Sequence, residues 1–314
     1  MSANAPQSAA TQPGAPQSVP TTPAPAPGNG TPPRRPSPPP NGAVRPPGPV
    51  PPTAAAAPAP RKDFAISRGV VRRAHRIGIY GPGGVGKTTL ASTIEQVTQK
   101  PVAFIDLDNG SEHLDVARIS NISAWQELRG ALHAPMWDNI GTIVIDTATK
   151  AEELAVQHTL AHVMNDKGKQ VSSVEGYGFG KGLQHVYETF LPIYADMDMH
   201  IRAGRNVVLI CHECIATVPN PNGDDYIRYE PRLQSPTSGK ASIRHRLKEW
   251  LDHLLFVGYD VATNDAGKGI GAGTRRIYST EMPTHWAKNR DLGGTEFSFE
   301  PGELTLWQTM FASK

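Results

Sequence analysis

The chain has 314 residues, a formal net charge of +2 and 30 prolines, of which 20 fall in residues 1–60. No run of about 18 apolar residues predicts a membrane span, and no basic patch followed by an apolar stretch predicts a secretory signal. The only cysteines are Cys211 and Cys214, which argues against a disulfide-stapled secreted fold and favours a reducing cytoplasm.

Residues 1–60 contain no Leu, Ile, Phe, Tyr or Trp, and their only charges are Arg34, Arg35 and Arg45. Such a segment cannot bury enough apolar surface to offset the backbone entropy lost on folding. We therefore predict a disordered, proline-rich tail over 1–60 and one large domain over 61–314. The tail holds +3 of the charge, so nucleic-acid binding by the domain has to come from local basic patches.

Residues 61–76 carry six basic side chains against one acid, which fits a solvated linker into the first strand better than a basic arm. Short apolar runs then alternate with helical patterns. Strands are predicted over 76–80, 101–107, 141–146, 206–211, 254–258, 275–279 and 295–299. Helices are predicted over 87–97, 124–132, 151–164, 182–200 (interrupted at Pro192) and 244–251. The alternation predicts an α/β fold with a mostly parallel sheet flanked by helices.

A glycine-rich segment after the first strand matches the pattern G-x-x-x-x-G-K-[ST], the signature of a phosphate loop. Glycines let the backbone N–H groups turn toward phosphate oxygens, and the next helix presents its positive end to the same anion. The lysine reaches the β- and γ-phosphates, and the first threonine offers its hydroxyl to Mg²⁺. The segment consists of Gly81, Pro82, Gly83, Gly84, Val85, Gly86, Lys87, Thr88 and Thr89.

Acidic residues follow two of the predicted strands. Asp146 ends the apolar run Thr-Ile-Val-Ile, and its expected role is to hold Mg²⁺ directly or through water. Asp106 and Asp108 end the run before it, and alternation places both on the same side of that strand. Asp108 is the predicted group for orienting or deprotonating the attacking water, and Glu112 is its competitor.

These motifs, in the order phosphate loop, Phe-Ile-Asp-x-Asp, Ile-Val-Ile-Asp and Val-Leu-Ile-Cys-His, resemble the core of RecA-type P-loop ATPases over roughly residues 74–300. They look most like the phage nucleotide-binding AAA family, which includes Sak-type RecA-like single-strand annealing proteins. The resemblance implies ATP and Mg²⁺ as cofactors, a homo-oligomer acting on single-stranded DNA, and a cytoplasmic location, in the host for a phage-encoded chain. It also leaves room for a single-strand-binding protein as a partner.

Carried over position by position, the resemblance assigns further roles. Asp108 matches the acid that activates water, which is usually Glu, so the shorter side chain puts the hydrolysis rate in doubt. His212 matches a polar sensor of the γ-phosphate, which is usually Gln. Lys288 and Arg290 resemble a basic pair that reaches the γ-phosphate of the neighbouring subunit, where cations stabilise the transferring phosphoryl group.

Two segments lie where RecA-like proteins contact DNA. Residues 167–181 interleave lysines and glycines with Tyr177 and Phe179, whose rings can stack on bases while lysines meet phosphates. Residues 213–240 form a long loop in which 226–229 is a candidate hairpin strand, followed by the basic start of a helix at 244.

Other functions stay open. A partition or positioning ATPase of the ParA/MinD class usually has a second lysine early in the phosphate loop, where this chain has Pro82. A nucleotide-binding scaffold with little hydrolysis is compatible with Asp108 in place of Glu. A replicative helicase would be expected to carry a separate N-terminal domain. The Cys-x-x-Cys spacing of Cys211 and Cys214 has no second pair to complete a zinc site.

Overall fold

A computed structural model of the chain describes residues 66, 68–69, 73–237, 240–263, 269–290, 292–293 and 296–312. The predicted tail, residues 1–60, and nearly all of the basic segment before Arg73 lie outside this part. The described residues from 68 onward belong to one compact unit.

Ten strands, eight α-helices and one short 3₁₀ helix, Val174–Tyr177, are defined within the described residues. The strands are β1 Arg76–Tyr80, β2 Val102–Asp106, β3 Ala117–Ile119, β4 Thr142–Asp146, β5 Asn206–Cys211, β6 Glu213–Val218, β7 Tyr226–Pro231, β8 His253–Thr263, β9 Gly269–Tyr278 and β10 Glu296–Ser298. The helices are α1 Lys87–Ser92, α2 Ile94–Thr98, α3 Trp125–His133, α4 Ala148–His162, α5 Lys181–Phe190, α6 Pro192–Arg202, α7 Ile243–Trp250 and α8 Thr305–Phe311.

Eight of these strands form one mixed sheet in the order β10-β9-β8-β1-β5-β4-β2-β3. The six strands from β8 to β3 are parallel to their neighbours, whereas β9 and β10 extend the sheet in antiparallel fashion. All five residues of β2 and of β4 are buried, as expected for parallel strands covered on both faces. The predicted α/β class with a mostly parallel sheet is therefore confirmed.

Helices cover both faces of this sheet. Buried side chains of α3 to α7 pack on one face, around Trp125, Phe190 and Met197. Those of α1, α2 and α8 pack on the other face, around Leu90 and Trp307. The Trp307 indole N–H lies 3.1 Å from the carbonyl of Leu90, which ties the last helix to the helix that follows the phosphate loop.

Most predicted elements are present, with three kinds of difference. The helix predicted over 87–97 divides at Thr93, whose hydroxyl donates to the carbonyl of Leu90. The predicted interruption at Pro192 separates α5 from α6, because proline fits the first turn of a helix. Strand β3 and helix α8 were not predicted, and the long loop after β5 contains the antiparallel pair β6–β7, of which only 226–229 was expected.

Candidate active site

The phosphate loop connects the end of β1 to the start of α1, at the carboxyl edge of the parallel strands. Gly81 has φ +152°, and a Cβ atom there would lie 2.0 Å from the carbonyl oxygen of Val257 in β8. Gly86 has φ +100°, a conformation that favours glycine. A side chain at Gly81 would therefore collide with the backbone of β8, and one at Gly86 would meet the side chains of Arg275 and Phe299 in a strained backbone conformation.

Lys87 is buried at the centre of the loop. Its Nζ donates to the carbonyl oxygens of Gly81 and Pro82, each at 2.8 Å. Burial lowers the pKa of Lys87, while the nearby carboxylate of Asp146 acts in the opposite direction. The ammonium group is therefore held inside the loop that would surround a polyphosphate.

Thr88 and Asp146 meet across the gap between α1 and β4, as the predicted magnesium site requires. The Thr88 hydroxyl donates to Asp146 Oδ2 at 2.7 Å. The backbone of Gly110 passes so close that a Cβ there would lie 3.4 Å from Asp146 Oδ2 and 3.6 Å from Thr88 Oγ1. The Thr88 hydroxyl and the Asp146 carboxylate, with only a glycine opposite them, form an oxygen donor set that suits Mg²⁺ bound to a nucleotide. These residues therefore fit the implied cofactor.

The pKa of Asp146 is raised to about 6, mainly by burial; the charges of Asp106 and Asp108 act in the same direction, and the hydrogen bond from Thr88 opposes them. Three carboxylates thus converge on this end of the sheet. A divalent cation would relieve the repulsion among them, which is a second reason why the site suits Mg²⁺.

Asp108 and His212, predicted separately from β2 and β5, lie side by side. His212 Nε2 is 3.4 Å from Asp108 Oδ2, and the hydroxyl of Thr147 donates to the same oxygen at 2.8 Å. The backbone N–H of His212 donates to Thr149 Oγ1 at the start of α4. Both side chains remain about one-third exposed, so they can reach a water or a phosphate at the mouth of the site.

The other two acids of this region are placed differently. Asp106 accepts hydrogen bonds from the backbone N–H groups of Gly110 and Ser111 and from the Ser111 hydroxyl, so it closes the turn after β2. Glu112 is exposed in that turn. The geometry thus gives Asp108, and neither Asp106 nor Glu112, the position beside His212.

Lys288 and Arg290 do not join these residues within the chain. Lys288 Nζ donates to three carbonyls at the end of α7, those of Lys248, Glu249 and Leu251. Arg290 pairs with Asp252, whose other oxygen accepts from the backbone N–H of Arg76 at the amino end of β1. Both cations therefore lie at the edge of the sheet opposite the phosphate loop, and their predicted action on a neighbouring subunit stays a prediction.

The first predicted DNA segment exposes one of its two aromatic rings. Tyr177 is buried, and its hydroxyl lies within hydrogen-bond distance of the carbonyls of Thr159 and Val163, so its predicted stacking on bases is wrong. Phe179 has φ +46° and a fully exposed side chain. Its flanking residues Gly178 and Gly180 also have positive φ, so the chain presents Phe179 at the apex of a left-handed turn just before α5.

The second predicted DNA segment is the hairpin β6–β7. Ile215 and Ile227 are exposed on its outer face, with Tyr229 opposite Ile215 in the register. On the inner face, Arg228 and Arg244 both pair with the buried carboxylate of Glu230. Arg244, the first arginine of the basic start of α7 that was predicted near the DNA loops, thus takes part in an internal ion pair.

Two residues near the phosphate loop were missed from the sequence. Arg275 Nη1 lies 3.2 Å from the carbonyl of Val85, with its guanidinium 4.3 Å from the centre of the Phe299 ring. Glu213 follows His212, and its Oε2 is buried without a hydrogen-bond partner among the described residues. Each lies in a segment read only as a strand or a loop, so no motif marked it.

The two cysteines are both free thiols and differ in burial. Cys211 is buried at the end of β5, where burial raises the pKa of its thiol to about 12. Cys214 lies in β6 with its sulfur 3.7 Å from the carbonyl of Pro231. Within the part of the chain that the structure describes, no group of three or more His, Cys, Asp or Glu side chains is placed to hold a metal ion by itself, so a Mg²⁺ at Thr88 and Asp146 would also need oxygen ligands from the nucleotide.

None of the helices among the described residues is both long enough and apolar enough to span a membrane. No curated protein matches this sequence. The chain is similar to the solved structure of the RadB recombinase, with 13% identity and a TM-score of 0.33, over 65% of this chain and 79% of that one. A family model described as an AAA domain matches residues 73–291, which include the phosphate loop, Asp108, Asp146 and His212. With more than half of its length matched, the chain belongs to this AAA-domain family of P-loop proteins.

Proposed function

We propose that this chain is an ATPase with a RecA-like core that binds single-stranded DNA and promotes annealing or recombination of the phage type. The observation that carries the proposal is the convergence of Lys87, the Thr88–Asp146 pair and the Asp108–His212 pair at one edge of the sheet. Together they supply the phosphate, metal and water-positioning functions that phosphoryl transfer to water needs.

In this proposal Lys87 and the backbone of the phosphate loop bind the β- and γ-phosphates, and Thr88 and Asp146 would hold an Mg²⁺, which would supply positive charge beside the phosphates. Asp108 orients the attacking water, with Thr147 and His212 fixing its carboxylate. His212 begins the connection into β6, so a group that meets the γ-phosphate also lies next to the hairpin.

Two exposed features support single-stranded DNA as the partner. Phe179 offers a ring for base stacking, and the exposed Lys167 and Lys169 of the same segment offer charge to phosphates. The hairpin adds an exposed apolar face at Ile215 and Ile227. Gln234, just after the hairpin, donates to the carbonyl of Leu183 in α5 at 2.8 Å, which joins the two segments.

The proposal includes a homo-oligomer in which Arg290, with Lys288 beside it, acts on the neighbouring subunit. A cation at the sheet edge opposite the phosphate loop can serve a site only if subunits stack head to tail. A single-strand-binding protein that coats the same DNA is a further proposed partner.

The decisive experiment measures ATP hydrolysis by the full chain with and without single-stranded DNA. We expect DNA to increase turnover and Lys87→Ala to reduce it by about 100-fold or more. Lys100→Ala removes an exposed lysine just before β2, at the other edge of the sheet, and should behave as the unsubstituted protein. Failure of DNA to bind or to stimulate hydrolysis would leave a nucleotide-binding scaffold as the better description.

A further inference from the structure

Glu213 is the first residue of β6 and lies close to the phosphate loop. Strand β5 ends at Cys211, whose register partner in β1 is Tyr80, the residue before Gly81. Glu213 therefore lies two residues after Cys211, which is paired with the residue just before the phosphate loop. It pairs in turn with Pro231, the last residue of β7, at the base of the hairpin.

The carboxylate of Glu213 is poorly satisfied where it stands. Its Oε2 is buried and has no hydrogen-bond partner among the described residues. Burial raises the pKa of Glu213, and the charge that opposes this effect is that of Lys87. A buried, unpaired carboxylate oxygen is an unfavourable arrangement that persists in folded proteins mainly where it has a task.

Lys87 acts on Glu213 through space by its charge, which would also act on the phosphates of a bound nucleotide. Its ammonium now bonds to the carbonyls of Gly81 and Pro82, and in a phosphate loop it moves its bonds to the β- and γ-phosphates. The arriving phosphates bring negative charge close to Lys87, the cation whose charge favours the ionised Glu213 carboxylate. Repulsion then acts on the Glu213 carboxylate just when its cation is drawn away.

From this geometry we propose that Glu213 transmits the presence of the γ-phosphate to the β6–β7 hairpin by competing with it for Lys87. The proposal rests on the proposed function, because it assumes that the loop binds ATP. Displacement of the Glu213 side chain shifts the first residue pair of the hairpin, Glu213 and Pro231. The far strand is held to the core, since the Tyr80 hydroxyl lies 3.0 Å from the carbonyl of Tyr229. The hairpin therefore tilts about β7.

The test uses the full chain, the variant Glu213→Gln, and Mg²⁺ with either ADP or a non-hydrolysable ATP analogue. Removing the charge should tighten binding of the ATP analogue relative to ADP by about 5-fold or more. Hydrogen exchange of peptides within 213–231 should differ between the two nucleotides in the unsubstituted protein and should not differ in Glu213→Gln. Glu213→Asp, which keeps the charge, should retain part of the difference.

Asp224→Asn is the matched control, because it removes an exposed carboxylate at the turn of the same hairpin. It should leave both the affinity ratio and the exchange pattern unchanged. If Glu213→Gln keeps the nucleotide-dependent exchange of the unsubstituted protein, the proposal for Glu213 is overturned while the ATPase function stands. If the unsubstituted protein binds neither nucleotide, the proposed function itself fails. Should Glu213→Gln not fold, Glu213→Ala and Glu213→Asp carry the same comparison.

Discussion

Two carboxylates whose pKa values are raised by burial, Asp146 and Glu152, differ in their hydrogen-bond partners and in their roles. Asp146 accepts from Thr88 and lies among other acids, an arrangement that suits a cation. Glu152, one helical turn into α4, instead accepts the backbone N–H of Gln234 at 2.7 Å and fixes the chain after the hairpin. Burial raises the pKa of Glu152 to about 7 from 4.5, although Arg244 and Arg232 oppose the shift. Ionised Glu152 therefore destabilises the fold.

We predict that Glu152→Gln stabilises the protein at pH 8 by on the order of 2 kcal/mol and changes little at pH 4.5. The pKa of the Glu152 carboxyl is higher in the folded state than in the unfolded state. Its contribution to stability is therefore fully present at pH values below the unfolded pKa and is lost as the pH rises through the folded pKa of about 7. The amide oxygen of Gln can still accept from Gln234. Denaturant unfolding from pH 4.5 to 8 measures the difference.

Glu153→Gln is the control, since Glu153 is exposed on the same helix and pairs only with Lys150 among the described residues. Its effect should stay within about 0.5 kcal/mol at every pH, as for other surface changes. Equal stabilities of Glu152→Gln and the unsubstituted chain at pH 8 would contradict the assignment of a buried, ionised carboxylate.

The positions of side chains that belong to a sequence motif were predictable, and the positions of other side chains near the site were not. Lys87, Thr88 and Asp146 follow a spacing that phosphate and Mg²⁺ impose, and Thr88 meets Asp146 as expected. Glu213 depends on which strand lies beside β5, a pairing between residues more than 100 positions apart. The burial of Tyr177 likewise depends on carbonyls of α4 that spacing does not reveal.

At the scale of elements, the strands of the sheet core were the most predictable because each is a short apolar run ending in a turn. Strands β1 and β5 have the bounds that the sequence predicts. Helix α8 and strand β3 were missed, since both are short and form through packing on neighbours: Leu306, Trp307 and Met310 of α8 are buried against α1 and α2. The hairpin was only partly predicted, because its outer face is exposed and its strands alternate weakly.

The turn before α5 yields a prediction about DNA. We expect Phe179→Ala to weaken binding of single-stranded DNA by about 5-fold to 100-fold, the loss of one stacked base, without changing its salt dependence. The affinity should fall because the exposed Phe179 ring is available to stack on a base, and the salt dependence should stay the same because Phe179 carries no charge. Position 179 has a positive φ, so alanine there must adopt the same backbone conformation. Fluorescence anisotropy with a labelled oligonucleotide at several salt concentrations gives both quantities.

Met136→Ala, which shortens an exposed apolar side chain between α3 and β4, is the matched control and should bind DNA normally. Unchanged affinity in Phe179→Ala would remove the turn from the DNA surface and leave the hairpin as the remaining candidate.

At the scale of the whole molecule, Lys87 and Arg275 are the cations bonded to the phosphate loop among the described residues. The pKa of Lys150, raised mainly by its ion pair on α4, is raised further by the nearby carboxylate of Asp108. The cations assigned to a neighbour lie at the opposite edge of the sheet and differ in availability. Lys288 is bound to three carbonyls that end α7, so its replacement should disturb the fold. Arg290 has 55% of its side chain exposed and a single carboxylate partner within the described chain, which makes it the better candidate.

We therefore predict that Asp108→Asn and Arg290→Ala are each poorly active as ATPases alone but recover activity when mixed. In a mixed oligomer some interfaces combine an intact Asp108 from one subunit with an intact Arg290 from its neighbour, which restores a complete site. Hydrolysis measured across mixing ratios should pass through a maximum near equal amounts. A strictly additive response would place every catalytic group in one chain. A normal rate for Arg290→Ala alone would assign the arginine to the ion pair with Asp252, as a clamp on the amino end of β1.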